Sequence, residues 1–396
     1  MRRSTTLFGV YFLAAAALSA QSPAFAVSSL TGPLTVVGNH IEDANGATVV
    51  LRGLQRDGTE GGPSTSPATV SADELAWIGH GHDGSWNAGV VRVPVGSAQW
   101  TGACPSLAND AFRYRAAIDA EVTTLTGQGI VALLDLHTVT AGCTSIDRHA
   151  MPDAPVTQTF WNDAAHHYAG NPLVAFELYN EPHFVPDAEW LNGTNGVTAQ
   201  DCDLTQPKAP LGVAYVQQLI AQRQCQLNAP KYQAVGMQAL YDLVAVAAPH
   251  HLIVVDGPGY AANPPSTLLN PDHGELVYGL HPYTCSVPGA ACDVGSKATA
   301  NTALLDRWKP LAAQAPVFVT EMGWPVYPQG DGTGYVDGAS YYRQTIDYLD
   351  RQSPPWGFVA FAFDGGTSGG FSLLSSTLTY APNTTGQPVF DRLHQP

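Results

Sequence analysis

Two glutamates stand where apolar runs end. Glu181 closes the run in "NPLVAFELYNEPHF", and Glu321 interrupts "PVFVTEMGW". A carboxylate is rarely buried unless something pairs with it, so each needs a partner or a task. Other polar residues end similar runs. Arg92 lies inside "VVRVPV", Asp135 and His137 lie two apart in "LLDLH", Asn180 precedes Glu181, and His281 and Tyr283 lie two apart in "LHPY". Residues two apart share one face of a strand. Two carboxyl groups across a cleft are what glycosidic cleavage requires. One protonates the leaving oxygen, and the other attacks the anomeric carbon or activates water. In such a site Arg92 would hold the attacking carboxylate ionised by its charge. His281 and Tyr283 would hydrogen-bond the nucleophile or the sugar. Asn180 would bind the 2-hydroxyl, a contact that strengthens at the transition state.

These residues are far apart in the chain, so only a fold can unite them. Eight candidate strands carry them: Val49–Arg56, Ala88–Val95, Gly129–His137, Leu173–Glu181, His251–Gly257, Leu276–Tyr283, Pro316–Trp324 and Gly357–Asp364. Most are almost continuously apolar, as parallel strands covered by helices are. Helical spacing fills the gaps in "DAFRYRAAIDAEVTTLTGQG", "TQTFWNDAAHHYAG", "AVGMQALYDLVAVAAP" and "SYYRQTIDYLDRQ", the first two ending on glycine. Strand and helix alternating eight times predict a (β/α)8 TIM barrel, in which strand-end residues converge at one mouth. A hairpin-like segment, "LTVVGNHIEDANGATVV", precedes it. The alternative, an open doubly wound sheet, usually carries G-x-G-x-x-G after its first strand, and "LRGLQRDG" is not that turn. Strict alternation would send Asn180 and Glu181 to opposite faces, so the strand must bend there, and Pro182 ends its pairing.

The chain opens "MRRSTTLFGVYFLAAAALSAQSPAFA", a basic start, an apolar middle and an A-x-A site. That is the pattern of a secretory signal cut after Ala26, and the apolar run is too short for a comfortable membrane anchor. One catalytic domain, 27–396, is expected to be exported, monomeric and free of the membrane. Its formal charge is −16 with 17 Lys plus Arg. Without a basic cluster nucleic acid is excluded as a partner, and a neutral oligo- or polysaccharide fits. The six cysteines of an exported chain suggest disulfides: Cys104, Cys143, Cys202, Cys225, Cys285 and Cys292. Sequence cannot fix the pairing. Proximity favours Cys202–Cys225 and Cys285–Cys292, leaving Cys104–Cys143. No C-x-x-C marks a zinc site, and "HGHD" at His80–Asp83, His166-His167 and His250-His251 read as solvated histidines. No metal or cofactor is expected. Val185–Pro230 reads as an insertion and Val326–Gly338 as a second long loop, both at the mouth.

"VVRVP", "LDLH", "LYNEP", "LHPY" and "VTEMGW" occur in the order seen in family 5 glycoside hydrolases, the cellulase-like family, and the chain resembles that family over nearly its whole mature length. The combination is specific; "NEP" alone is not. The resemblance implies hydrolysis of β-linked glycans with retention, Glu181 as acid/base and Glu321 as nucleophile. Arg92, His137, Asn180, His281 and Tyr283 fall on the family's supporting positions. It also implies an endo-β-1,4-glucanase first. Mannan, β-1,3 or β-1,6 glucans and exo-acting or glycolipid specificities follow, then a transglycosylase, and a barrel that binds carbohydrate without catalysis is the alternative of another class. One departure concerns substrate. The family usually stacks the sugar on a strand-eight tryptophan, and here "GFVAFAFDGG" places Phe361 there. Trp324 would then supply part of the platform.

Overall fold

Runs rich in valine, isoleucine and leucine make strands because branched side chains suit a pleated, covered surface. The computed structural model describes residues 30, 32–60, 70–140, 143, 149–198, 213–228, 231–283, 301–324, 338–364 and 371–395, apart from the side chains at 214, 215, 218, 222, 225 and 226. The expected signal at 1–26, the loop 326–337, and the expected pairs Cys202–Cys225 and Cys285–Cys292 therefore lie outside the described residues.

β1 (Thr35–Val37), β2 (His40–Glu42) and β3 (Thr48–Val49) form a small antiparallel sheet, the expected hairpin with one strand added. β4 (Arg52–Arg56), β5 (Val90–Gly96), β6 (Val131–Thr138) and β7 (Val174–Glu177) follow. After β8 (Gly193–Thr198) and β9 (Lys231–Val235) come β10 (Leu252–Asp256), β11 (Glu275–Leu280), β12 (Val317–Met322) and β13 (Gly357–Phe363). β4 to β7 and β10 to β13 close one parallel barrel, with β7 against β10 and β13 against β4. The fold class is that of the (β/α)8 barrel.

Helices α1 (Ala72–Ile78), α2 (Ser97–Thr101), α3 (Ala111–Gly127) and α4 (Ala154–Tyr168) cover the first strands. α1 begins on a capping sequence, Ser71 accepting the Glu74 N–H at 3.0 Å. α5 (Asp187–Asn192), β8 and α6 (Val213–Asn228) lie in the insertion expected after the fourth barrel strand, and β8 pairs antiparallel with β9, which begins just beyond its expected end at Pro230. α7 (Met237–Ala247), α8 (Thr302–Ala312), α9 (Ala339–Asp350) and α10 (Gln387–Leu393) complete the ring. The alternation is not complete: turns at 257–274 join β10 to β11 without a helix.

Inward positions change character along most of the barrel strands. The lower layer is apolar: Val90, Leu133, Ala175, Leu252, Val254, Val277, Phe318 and Val359 pack together beneath Leu34 and Ile41 of the N-terminal segment. Two residues further along, by the same alternation, stand Arg92, Asp135, Glu177, Asp256, Gly279 and Thr320. The apolar layer stabilises by roughly 1.5–3 kcal/mol per large side chain. That is the foundation on which a layer of buried charge can be held.

Candidate active site

Arg92 is the centre of the upper layer and is fully buried. Its Nε donates to Glu177 Oε2 at 2.7 Å and its Nη2 to Glu177 Oε1 at 2.9 Å, a two-pronged grip. Nη1 donates to Gln55 Oε1 and to Glu321 Oε2, each at 2.6 Å. Nη2 also reaches Asn180 Oδ1 at 2.9 Å and Asp135 Oδ2 at 3.0 Å. All five guanidinium protons are thus engaged. Burial opposes the charge, but Asp135, Glu177 and Glu321 outweigh it and hold the guanidinium protonated. Asp135 Oδ2 also accepts from His137 Nδ1 at 2.7 Å, which fixes that ring's tautomer. Burial would lower the His137 pKa, and Asp135 raises it above the ordinary value.

Glu321 comes from β12, at a point where alternation alone would turn it outward. The pairing of β12 with β13 shifts register between Val319 and Met322, and this irregularity admits Glu321 to the mouth beside inward-facing Thr320. Its Oε1 accepts the Tyr283 hydroxyl at 2.6 Å. Burial would raise its pKa, but His281, Arg92 and His137, with the Tyr283 hydrogen bond, hold the carboxyl down at about 2. Glu321 is therefore an anion throughout the neutral range.

Glu181 reaches the same mouth by a different route. β7 ends at Glu177, four residues before the expected Glu181. Leu178 N still donates to Val254 O and Asn180 N to Leu136 O, and then Glu181 turns into the left-handed region with φ +54°. This is the bend required to bring neighbours 180 and 181 to one site. Glu181 Oε1 lies 3.0 Å from His281 Nδ1. One carboxylate oxygen of Glu181, one of Glu321 and a ring nitrogen of His281 all lie within 4.8 Å of one another. Asn180 gives its Oδ1 to Arg92, so its Nδ2 is the remaining donor, buried and without a hydrogen-bond partner among the described residues.

Behind His281 stands Asp256, the last residue of β10. Its Oδ1 accepts the Thr320 hydroxyl at 3.2 Å and its Oδ2 the Glu181 N–H at 3.2 Å. Thr320 Oγ1 in turn lies 3.1 Å from His281 Nε2. Burial and Glu177 push the Asp256 pKa up to about 7, against the pull of His281 and Arg92. Burial would depress His281, but Asp256, Glu321 and Glu181 raise it to about 9. Two trios, Glu177–Asp256–His281 and Glu181–His281–Glu321, are spaced closely enough to hold an ion. Arg92 already supplies the positive charge there, bonded to Glu177 and Glu321.

Arg92, His137, Asn180, Glu181, His281, Tyr283 and Glu321 are therefore brought together. Phe361 joins their margin. It is the one residue of β13 that is not fully covered, and its ring meets Phe371 at 5.2 Å, which meets Tyr283 at 6.0 Å. Trp324 does not join them. It is buried, its ring lies 5.7 Å from Tyr341, and Gly338 packs on its Cβ. His183 stacks on Tyr260 at 4.3 Å and its Nδ1 bonds Glu181 O at 2.7 Å, bracing the turn that carries Glu181. Cys104 and Cys143 form the disulfide left by proximity, between the segments after β5 and β6. His80, His82, His166, His167 and His250 are exposed, but His251 is buried on Asn171 O at 3.0 Å and is not a solvated histidine.

Sequence reasoning passed over Gln55, Glu177, Asp256 and Thr320. Asp256 had a signal, since "LIVVD" ends an apolar run on an acid just as the runs of Glu181 and Glu321 do. Glu177 lies inside a run that reads as almost continuously apolar.

Solved structures share this architecture. A β-glucanase from Saccharophagus degradans, solved with cellotetraose, superposes with a TM-score of 0.60 at 19% identity, covering 94% of this chain and 96% of that one. The catalytic domain of a Thermobifida fusca endoglucanase gives 0.58 at 16% identity, covering 92% and 98%. Among curated proteins, endoglucanase A of Butyrivibrio fibrisolvens is 25% identical over 162 residues, 40% of this chain and 33% of that protein. A manganese-dependent endoglucanase of Phanerodontia chrysosporium is 26% identical over 118 residues, 29% and 30% of the two chains. The match thus spans about a third of the length of these relatives. The sequence model of the cellulase family, glycosyl hydrolase family 5, matches residues 83–362, well over half of the chain. The chain belongs to that family and is a cellulase-like glycoside hydrolase.

Proposed function

We propose that the protein is an exported endo-β-1,4-glucanase that cleaves with retention, Glu321 attacking and Glu181 moving the proton. The asymmetry of the two glutamates carries this reading. Glu321 is held ionised by Arg92 and Tyr283, as a nucleophile must be. Glu181 instead shares a hydrogen bond with His281, a group able to give or take a proton. Their nearest oxygens, within 4.8 Å, suit direct attack, for which carboxyl groups stand about 5–5.5 Å apart. The roughly 6.5–9.5 Å that seats a water between them in inverting enzymes is much wider.

In the first step Glu321 bonds to the anomeric carbon while Glu181 protonates the departing glycosidic oxygen. The product is a glycosyl ester of Glu321 and a free aglycone hydroxyl. Glu181, now a carboxylate, takes a proton from water, which displaces Glu321 and restores both groups. Asn180, whose buried Nδ2 is a donor without a described partner, would donate to the 2-hydroxyl as charge develops on the ring. His137, held by Asp135, adds positive potential on the Glu321 side.

The substrate reading is supported by the endoglucanase relatives and by the cellotetraose held in the Saccharophagus degradans structure. Phe361 makes a narrower platform than tryptophan. The rival β-glycans are therefore arms of the same experiment: a panel of β-1,4-, β-1,3- and β-1,6-glucans, mannan and aryl glycosides, with products resolved by chain length. Internal cleavage of β-1,4-glucan is expected. Glu181→Gln should cost about 10²–10⁴-fold on an unactivated glycoside, and Glu321→Gln should reduce turnover to background. Unchanged rates in both variants would refute the assignment. Export is tested by N-terminal sequencing of protein recovered outside the cell, where the chain should begin at Val27.

A further inference from the structure

Asp256 is fully buried, yet it touches three parts of the acid/base apparatus at once. We propose that Asp256 is a positioning residue that fixes the His281 tautomer and holds a shared proton on the Glu181–His281 pair. The proposal rests on Glu181 being the acid/base.

The donors and acceptors leave few choices. Thr320 has one hydroxyl proton, and it goes to Asp256 Oδ1. Toward His281 Nε2, 3.1 Å away, the Thr320 oxygen must therefore accept. The other neighbour of Nε2 is Asp256 Oδ2 at 3.5 Å, also an acceptor. Nε2 thus carries a proton, whatever the state of the ring. Only Nδ1 remains free to change, and it faces Glu181 Oε1 at 3.0 Å. One proton serves that contact. It lies on Nδ1 opposite a carboxylate, or on Glu181 opposite a neutral ring. The charge on Asp256 favours keeping it.

Other charged groups face this arrangement. Glu177 on β7 and Arg92 on β5 lie on either side of Asp256 in effect, one raising and the other lowering its pKa. Glu321 on β12 adds to the pull on His281. Asp256 also fixes the turn itself, because its Oδ2 accepts the Glu181 N–H at 3.2 Å.

The neighbouring strand is shaped around this carboxylate. Gly279 on β11 stands opposite Asp256 in the pairing register. A Cβ there would lie 2.1 Å from Asp256 Oδ1 and 3.1 Å from Thr320 Oγ1. Any larger residue would evict the carboxylate from its bond to Thr320.

The test is the pH profile of kcat/KM for wild type, Asp256→Asn and Thr320→Val on phenyl and 2,4-dinitrophenyl β-cellobiosides. Loss of the Asp256 charge should move the basic limb down by about one pH unit. The phenyl glycoside, which needs the proton, should lose about ten-fold more rate than the dinitrophenyl glycoside, which does not. Thr320→Val should move the limb in the same direction by less, and it decides the matter if Asp256→Asn does not fold. A basic limb left at its wild-type position, with both glycosides slowed equally, overturns the proposal. Glu181→Gln separates the two levels: full activity of that variant on the phenyl glycoside overturns the acid/base reading, whereas an inactive Glu181→Gln with an unmoved limb overturns only the role of Asp256.

Discussion

Removing one oxygen tests how Glu321 is kept ionised. In Tyr283→Phe the 2.6 Å hydrogen bond to Glu321 Oε1 is lost, while the Arg92 bond to Oε2 remains. A hydrogen bond to a charged group contributes about 1.5–3 kcal/mol, which is about 1–2 pH units of carboxylate pKa. The pKa of Glu321, held at about 2 in the intact site, should rise to about 3–4. The direction follows from the donor stabilising only the anion. Because catalysis needs the anion, the acidic limb of kcat/KM should climb by that amount and the basic limb should stay. The same loss appears in stability. The folded pKa of Glu321 lies below that of an unfolded glutamate, so its contribution is complete above about pH 4.3 and fades as pH falls through the folded value. Tyr283→Phe should therefore raise the pH of acid unfolding slightly. The assay is kcat/KM on an aryl β-cellobioside from the acid limb to neutrality, with circular dichroism confirming fold at each point. An acidic limb at its wild-type position would show that Tyr283 does not stabilise the anion.

Glu121 on α3 is buried with neither side-chain oxygen hydrogen-bonded among the described residues, and burial, against Arg56 but aided by Glu74 and Glu60, pushes its pKa up to about 8. A raised folded pKa makes stability fall between the unfolded value and about pH 8. Glu121→Gln should thus raise Tm at pH 8, by the equivalent of a few kcal/mol, and change it little at pH 4; equal effects at both would refute this. Replacing Cys104 and Cys143, separated by 39 residues, with alanine should cost about 4 kcal/mol by loop entropy. Calorimetry should read that as a fall of about 5 °C. Phe361→Ala should lower kcat/KM on cello-oligosaccharides about 5-fold, from about 1 kcal/mol of stacking, and Phe361→Trp should recover it. An unchanged Phe361→Ala would remove that ring from the sugar platform.

The barrel was legible because its inward positions repeat every two residues and its outward ones are mostly apolar, Arg52 and Arg56 of β4 excepted. What broke that rule was harder to read. β7 stops at Glu177, and Glu181 then enters the left-handed region, a choice no propensity for glutamate would suggest. Glu321 faces the mouth because β12 slips register after Val319, and alternation alone would turn it away. Arg92 was visible as a charge in an apolar run, but its main grip, Glu177, was masked by the phenylalanine and leucine around it. Trp324 drew attention by its type and its place after Glu321, yet Tyr341 and Gly338 enclose it. Asp256 required knowing which strand lies beside which, since only the pairing of β10 with β11 explains why position 279 is glycine.

The division of labour between the two glutamates is tested most directly by trapping the intermediate. The protein would be incubated with 2,4-dinitrophenyl 2-deoxy-2-fluoro-β-cellobioside, whose fluorine slows both steps while the good leaving group restores the first. Intact mass and peptide mapping should show one fluorocellobiosyl group on Glu321, formed also by Glu181→Gln and absent from Glu321→Gln. An adduct on any other residue, or steady release of dinitrophenol with no adduct, would contradict the account.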